Sequence, residues 1–230
     1  MIKIRVFSVL TVFFLVALGT FSCSESQQTS DKEASSSKAD TEKENQVPKK
    51  TILFFGDSMT AGYGVDQDEA FPALLQHKID SLNLPYKVIN GGLSGETSAS
   101  GLTRIDWFLE SKPDIFILEL GGNDGLRGIA LSSTKDNLQG IIDKVKEKYP
   151  STKIILAGMQ IPPNMGEAYT TDFKEIFPSL AEQNDLLLIP FLLDGVGGNP
   201  DLNQPDGIHP TAEGHKIVAK TVWKYLEPEL

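Results

Sequence analysis

Short runs of apolar residues recur along the chain from residue 51 onward. They are TILFF (51–55), YKVIN (86–90), DIFILEL (114–120), KIILAGM (153–159) and DLLLIP (185–190). Strands that are buried on both faces of a parallel sheet have this nearly continuous apolar composition. The pattern therefore predicts five β-strands.

The segments between these runs carry apolar residues at helical spacing. Leu138, Ile141, Ile142 and Val145 are three or four residues apart, which predicts an amphipathic helix that ends at Pro150. Further helices are predicted over 69–82, over 98–111 and from about Thr211 onward. Alternating strands and helices predict a three-layer α/β/α domain with a five-stranded parallel sheet. In such folds the ligand binds at the carboxyl ends of the strands.

The N-terminus has the pattern of an export signal. Lys3 and Arg5 precede an apolar run over 6–21, which is shorter than the roughly 20 residues that a spanning helix needs. Cys23, the only cysteine, follows this run and excludes an intrachain disulfide. The stretch resembles a bacterial lipoprotein signal, in which the cysteine becomes the lipidated first residue. We expect a signal peptide over 1–22 and a membrane attachment through Cys23; an uncleaved anchor stays open as the alternative.

Residues 23–50 are almost entirely polar, with charges of both signs. Such a segment does not bury enough surface to offset its ordering entropy, so we interpret it as a disordered tether. Residues 51–230 then form one domain. The net charge of −10 argues against a nucleic-acid partner, because that function needs a basic surface.

The stretch GDSMTAGYG (56–64) directly follows the first predicted strand. It matches neither the P-loop pattern nor the dinucleotide-binding pattern, since the lysine is missing and the glycines are spaced differently. Two interpretations stay open: a plain strand-to-helix connection, or a turn that presents Ser58 as a nucleophile.

Near the C-terminus, QPDGIHPTAEGH places Asp206 three residues before His209. A carboxylate at this spacing can bind one imidazole nitrogen and leave the other to accept a proton from a serine hydroxyl. A local turn contact is the alternative. His77 and His215 lie within predicted helices, and we interpret both as structural or solvated.

A nucleophilic serine also needs donors for the oxyanion. Asn123, in LELGGNDGLRG, follows the third strand and offers a side-chain amide. The alternative for this segment is an Asx turn. In NGGLSGETSAS, after the second strand, Gly91, Gly92 and Gly95 permit close approach of a backbone N–H group.

These four segments together resemble the four blocks of the SGNH (GDSL-type) hydrolases, in the family's order. The resemblance covers residues 51–226 and is strongest to the branch of thioesterase I/protease I/lysophospholipase L1 and the arylesterases, because ELGGNDGLRG and QIPPNMG (160–166) are typical of it. The resemblance implies a flavodoxin-like SGNH hydrolase fold. It also implies a catalytic set of Ser58, Asp206 and His209, with the oxyanion held by Ser58, Gly95 and Asn123. Gly92 is the competing choice for Gly95.

By this resemblance, the chain is a serine hydrolase of short- to medium-chain acyl esters or thioesters that works through an acyl-enzyme on Ser58. Ile161 and Pro162 are expected to line the acyl pocket. No cofactor is expected, and no set of zinc ligands is visible. A carbohydrate O-deacetylase and a catalytically inactive binding lipoprotein stay open as alternatives. The expected location is the periplasm or the outer membrane of a bacterium.

Overall fold

The computed structural model describes residues 49–230. The predicted signal peptide, Cys23 and all but the last two residues of the predicted tether lie outside the described residues. The five strands are β1 (Lys50–Gly56), β2 (Tyr86–Gly92), β3 (Ile115–Glu119), β4 (Lys153–Ala157) and β5 (Leu187–Ile189). The first strand thus begins one residue before the predicted domain boundary.

Seven α-helices lie between and after these strands within residues 49–230. They are α1 (Ser58–Ala61), α2 (Phe71–Ser81), α3 (Ser98–Phe108), α4 (Gly122–Leu126), α5 (Leu131–Lys148), α6 (Glu167–Asn184) and α7 (Ala212–Leu226). Two short 3₁₀ turns, Pro163–Met165 and Glu227–Glu229, complete the described elements.

The strands form one parallel sheet in the order β2-β1-β3-β4-β5. This is the flavodoxin-like order of doubly wound folds, so the predicted fold class is confirmed. Helices cover both faces, since α2 packs against α7 while α3, α5 and α6 pack in a row. Neighbouring residues of β1 show the alternation: Phe54 contacts Phe71 of α2, whereas Phe55 contacts Phe108 of α3, each at 5.5 Å between ring centroids.

Helix α6 is an element that the sequence patterns above do not predict. It buries Phe173, Ile176, Phe177 and Leu180 at the expected spacing of three and four residues, with Pro178 inside the helix. Proline ordinarily interrupts a helix, so the apolar spacing is the stronger signal here.

The chain leaves β1 toward β2 and then returns to β3 on the other side of β1. Ligands bind beside such a reversal, outside the carboxyl ends of the strands. The segments after β1, β2, β3 and β5 all meet there, and they carry every predicted catalytic and oxyanion residue.

Candidate functional site

Ser58 is the first residue of α1, directly after β1. The preceding residue, Asp57, is the N-cap: its Oδ1 accepts a hydrogen bond from the N–H of Met59 at 3.0 Å. The helix stops after one turn at Gly62, which has a φ of 75°. This short, capped helix places the Ser58 side chain at the edge of the sheet.

Asp206 holds the loop that carries His209. Its Oδ1 accepts hydrogen bonds from the N–H groups of Ile208 and His209, both at 3.0 Å. Its Oδ2 lies 2.8 Å from Nδ1 of His209. Gly207, between them, has a φ of 77°, which favours glycine and permits the tight turn.

The structure brings His209 to the nucleophile across 151 residues of sequence. Nε2 of His209 lies 2.9 Å from Oγ of Ser58. Because Asp206 accepts the proton on Nδ1, Nε2 is the free acceptor for the Ser58 hydroxyl. The three predicted catalytic residues therefore form one continuous hydrogen-bonded chain.

The pKa of Asp206 keeps this carboxylate ionised. Partial burial acts to raise its pKa, but the N–H groups of His209 and Ile208 and the His209 imidazole lower it to about 2. An ionised Asp206 fixes the tautomer of His209 over the whole neutral pH range.

The predicted oxyanion donors lie around the same cavity as Ser58. Asn123 lies in α4, and its Nδ2 donates to Oδ2 of Asp57 at 3.1 Å. Gly95 has a φ of 78°, and its carbonyl accepts a hydrogen bond from Arg127 at 3.0 Å. Gly95 lines the cavity beside Ser58 and Asn123, whereas Gly92 packs against the backbone of Ala61. The geometry thus favours Gly95 over Gly92.

The cavity has a volume of about 460 Å³ and a mostly apolar lining. Ile161 and Pro162 line it, as predicted, and they are joined by Met159, Phe191 and Leu193. Phe191 and Leu193 lie directly after β5, and no sequence pattern above assigned these two residues a role. Their apolar character within a glycine-rich loop was the signal available.

Of Tyr63 and Tyr169, the two tyrosines close in sequence to GDSMTAGYG and QIPPNMG, only Tyr63 lines the cavity. The Tyr63 ring lies 4.6 Å from the His209 ring, between centroids, and lines the cavity. Tyr169 does not line the cavity, and its hydroxyl donates to the carbonyl of Ile129 at 2.8 Å.

Two buried carboxyl groups lie beneath the nucleophile. Oε2 of Glu119 accepts hydrogen bonds from the N–H of Asp57 at 3.1 Å and from the hydroxyl of Thr60 at 2.8 Å. Burial raises the pKa of Asp57 to about 6. Burial and the neighbouring Asp57 raise the pKa of Glu119 well above its usual range. Sequence analysis missed Glu119, although an acidic residue inside an apolar strand was a visible signal.

The other two histidines lie away from the nucleophile. His77 is exposed on α2, and His215 is buried in α7, where its Nδ1 accepts a hydrogen bond from the N–H of Phe71 at 3.3 Å. Both placements fit the structural or solvated role that we predicted. The described residues contain no group of three metal-ligating side chains suited to hold an ion.

A serine, an imidazole and a carboxylate at these distances, beside oxyanion donors, define the site of a nucleophilic serine hydrolase. The model of the GDSL-like lipase/acylhydrolase family matches residues 54–217. The chain belongs to this family, which confirms the resemblance found in the sequence.

Three relatives support the assignment. Esterase TesA of Pseudomonas aeruginosa is 39% identical over 80% of this chain and 92% of its own length. Thioesterase 1/protease 1/lysophospholipase L1 of Escherichia coli K12 is 37% identical over 77% of this chain and 84% of its own. The crystal structure of AlinE4, an SGNH-hydrolase family esterase, is 41% identical with a TM-score of 0.65, over 79% of this chain and 97% of that one.

Proposed function

We propose that the chain is a carboxylic ester hydrolase that works through an acyl-enzyme on Ser58. The observation that carries this proposal is the unbroken contact from Asp206 through His209 to Oγ of Ser58, at 2.8 Å and 2.9 Å. The names of the relatives, which include an esterase and a thioesterase, agree with it.

The reaction begins when Nε2 of His209 takes the proton of the Ser58 hydroxyl as Oγ attacks the carbonyl carbon of the ester or thioester. The negative charge that develops on the carbonyl oxygen is held by the N–H groups of Ser58 and Gly95 and the side-chain amide of Asn123. The protonated His209 then gives its proton to the leaving alcohol or thiol, and the acyl group stays on Oγ.

Water completes the reaction by the same route. His209 takes a proton from the water as its oxygen attacks the acyl carbon, and the oxyanion donors hold the second tetrahedral intermediate. When this intermediate collapses, the carboxylic acid leaves and Ser58 regains its proton from His209.

The cavity favours an acyl chain of short to medium length as the substrate. Its apolar wall matches an alkyl chain better than a sugar, and Tyr63 is the one tyrosine in its lining. This argues against the carbohydrate deacetylase. The assembled contact between Ser58 and His209 argues against the inactive binding protein.

The test is steady-state hydrolysis of p-nitrophenyl esters from acetate to palmitate. We expect activity with the shorter chains, and a loss on the order of 10⁴- to 10⁶-fold in kcat for Ser58→Ala and His209→Ala. Ser81→Ala is the control, because Ser81 is exposed on α2, away from the cavity, and should retain full kcat. Full activity in Ser58→Ala would refute the assignment of the nucleophile.

We further propose that the protein is exported and attached to a membrane through a lipidated Cys23. The basic, apolar and cysteine segments of the N-terminus support this. Within residues 49–230 no helix is long and apolar enough to cross a bilayer. Metabolic labelling with palmitate in a bacterial host should label the wild-type protein and not Cys23→Ser, and equal labelling of both would contradict the proposal.

A further inference from the structure

The proposed site needs two segments from distant parts of the chain to meet within one hydrogen bond. The nucleophile segment, residues 58–64, follows β1, and the base segment, residues 203–210, precedes α7. A side-chain hydrogen bond weakens steeply as its geometry departs from the optimum. Something must therefore hold the backbones of the two segments in register.

Gln204 makes this connection. Its Nε2 donates to the carbonyl of Tyr63 at 2.7 Å, across 141 residues, and to the carbonyl of Pro210 at 3.0 Å. Its backbone N–H donates to the carbonyl of His209 at 2.7 Å. One residue thus contacts the nucleophile segment and both the base and the residue after it.

These contacts continue to Ser58 itself. The N–H of Tyr63 donates to the carbonyl of Ser58 at 3.0 Å. Hydrogen bonds thus link Ser58 to Tyr63, Tyr63 to Gln204 and Gln204 to His209. Together with the contact between Oγ of Ser58 and Nε2 of His209, they form a closed ring. Within residues 49–230, the bond from Gln204 to Tyr63 is the only hydrogen bond between the two segments besides that of Ser58 with His209.

The nucleophile segment leaves space for the Gln204 amide. A Cβ atom at Gly64 would overlap Oε1 of Gln204, and Gly64 has a φ of 76°. The glycine that ends GDSMTAGYG therefore permits the close approach of a side chain from the base segment.

We propose that Gln204 is a positioning residue that sets the distance and angle between His209 and Ser58. It touches neither substrate nor the reacting atoms, and it acts through His209. This inference rests on the proposed roles of Ser58 and His209.

Gln204→Met tests the inference because methionine has a similar length and offers no N–H to the two carbonyls. We expect kcat to fall on the order of 10- to 100-fold, since a misplacement of about 1 Å can cost about 100-fold. We expect KM to stay unchanged, because the acyl pocket is not altered. Gln204→Glu, of equal length and also without donors at neutral pH, should behave in the same way.

Gln76→Met is the matched control. Gln76 also joins two elements, since its Oε1 accepts from the N–H of Val88 at 2.6 Å and its Nε2 donates to the carbonyl of Tyr86 at 3.4 Å. It lies on α2, away from the cavity, so its loss should lower Tm and leave kcat unchanged. If Gln204→Met and Gln76→Met lower Tm alike and both keep wild-type kcat, or if neither Gln204 variant folds, Gln204 supports folding only and the inference is wrong.

The variants are also made in a His209→Ala background. If Gln204 acts through His209, then Gln204→Met has no further effect on the residual activity of His209→Ala. An equal loss in both backgrounds would overturn the inference. The proposed function fails separately, if His209→Ala alone keeps wild-type kcat.

Discussion

The side-chain amide of Asn123 is held by Asp57, whose Oδ2 accepts its hydrogen bond at 3.1 Å. The other oxygen of Asp57 accepts the N–H of Met59 and so fixes the start of the helix that carries Ser58. One carboxylate thereby couples the orientation of the Asn123 amide, the proposed oxyanion donor, to that of the helix that carries Ser58. This contact uses one N–H of the Asn123 amide, and the second N–H is the one that we propose donates to the oxyanion.

Removing the amide tests the oxyanion role of Asn123. We expect Asn123→Ala to lower kcat on the order of 10²- to 10³-fold, because one donor to the tetrahedral intermediate is lost. Asn137→Ala is the control. Asn137 lies on α5, outside the cavity, and its Nδ2 donates to Oγ of Ser98 at 3.1 Å, so this variant should keep wild-type kcat. Steady-state kinetics decide, and near-full kcat in Asn123→Ala would contradict the role.

Asp57→Asn should lower kcat and raise Tm, and so separate the effect of Asp57 on activity from its effect on stability. Asparagine offers one acceptor oxygen where the two oxygens of Asp57 accept from Met59 and Asn123, so one of these contacts is lost and kcat should fall on the order of 10-fold or more. The folded pKa of Asp57 is raised by burial from 3.8 to about 6, so wild-type stability is lost as pH rises through this window. Asp57→Asn avoids this loss and should have the higher Tm at pH 7.

Glu119→Gln is the control for this prediction. It removes the neighbouring buried carboxyl group but leaves the contact between Asp57 and Asn123, so kcat should fall much less. Thermal melts at pH 4 and pH 7, with kinetics at pH 7, give both readouts. A lower Tm for Asp57→Asn at pH 7 would show that Asp57 mainly stabilises the fold.

Because His215 is buried, we expect the stability of the fold to depend on pH. Burial lowers its folded pKa from 6.5 to about 4, so the unfolded chain binds the proton first as pH falls. The full free energy of unfolding is present above pH 6.5. As pH falls from about 6.5 to 4, protonation of His215 in the unfolded chain lowers it by about 3 kcal/mol. Urea unfolding across this range should show that His215→Asn lacks this loss. Parallel curves for the variant and the wild type would contradict the assignment.

The position of Ile161 in the cavity lining leads us to expect that this residue affects the preference for acyl chain length. It lines the cavity, so Ile161→Ala removes apolar contact from a long acyl chain but not from an acetyl group. We expect kcat/KM to fall about 10-fold for the octanoyl ester relative to the acetyl ester. Ile176→Ala, equally buried in α6 but outside the cavity, should lower stability without this selectivity. Equal effects on both esters would exclude Ile161 from the acyl pocket.

The sheet and most helices follow from the sequence, because continuous apolar runs such as DIFILEL have one stable environment in this fold. The candidate catalytic residues could also be predicted, since Asp206 and His209 are local to each other and the blocks resemble a family; the structure brings them together with Ser58. The resemblance already favoured Gly95 over Gly92, and the loop conformation adds that Gly95 lines the cavity while Gly92 packs against Ala61. The bonds of Gln204 to Tyr63 and of Asn123 to Asp57 depend on how distant segments pack, and no local pattern encodes them.

An activated Ser58 is the feature on which the proposed function depends most directly. We would treat residues 47–230 with a fluorophosphonate probe, because such probes react preferentially with a serine that a neighbouring general base activates, and map the adduct by peptide mass. We expect a single adduct on Ser58 that is absent in His209→Ala. A folded protein without an adduct, or an adduct on Ser58 that persists in His209→Ala, would contradict the proposed function.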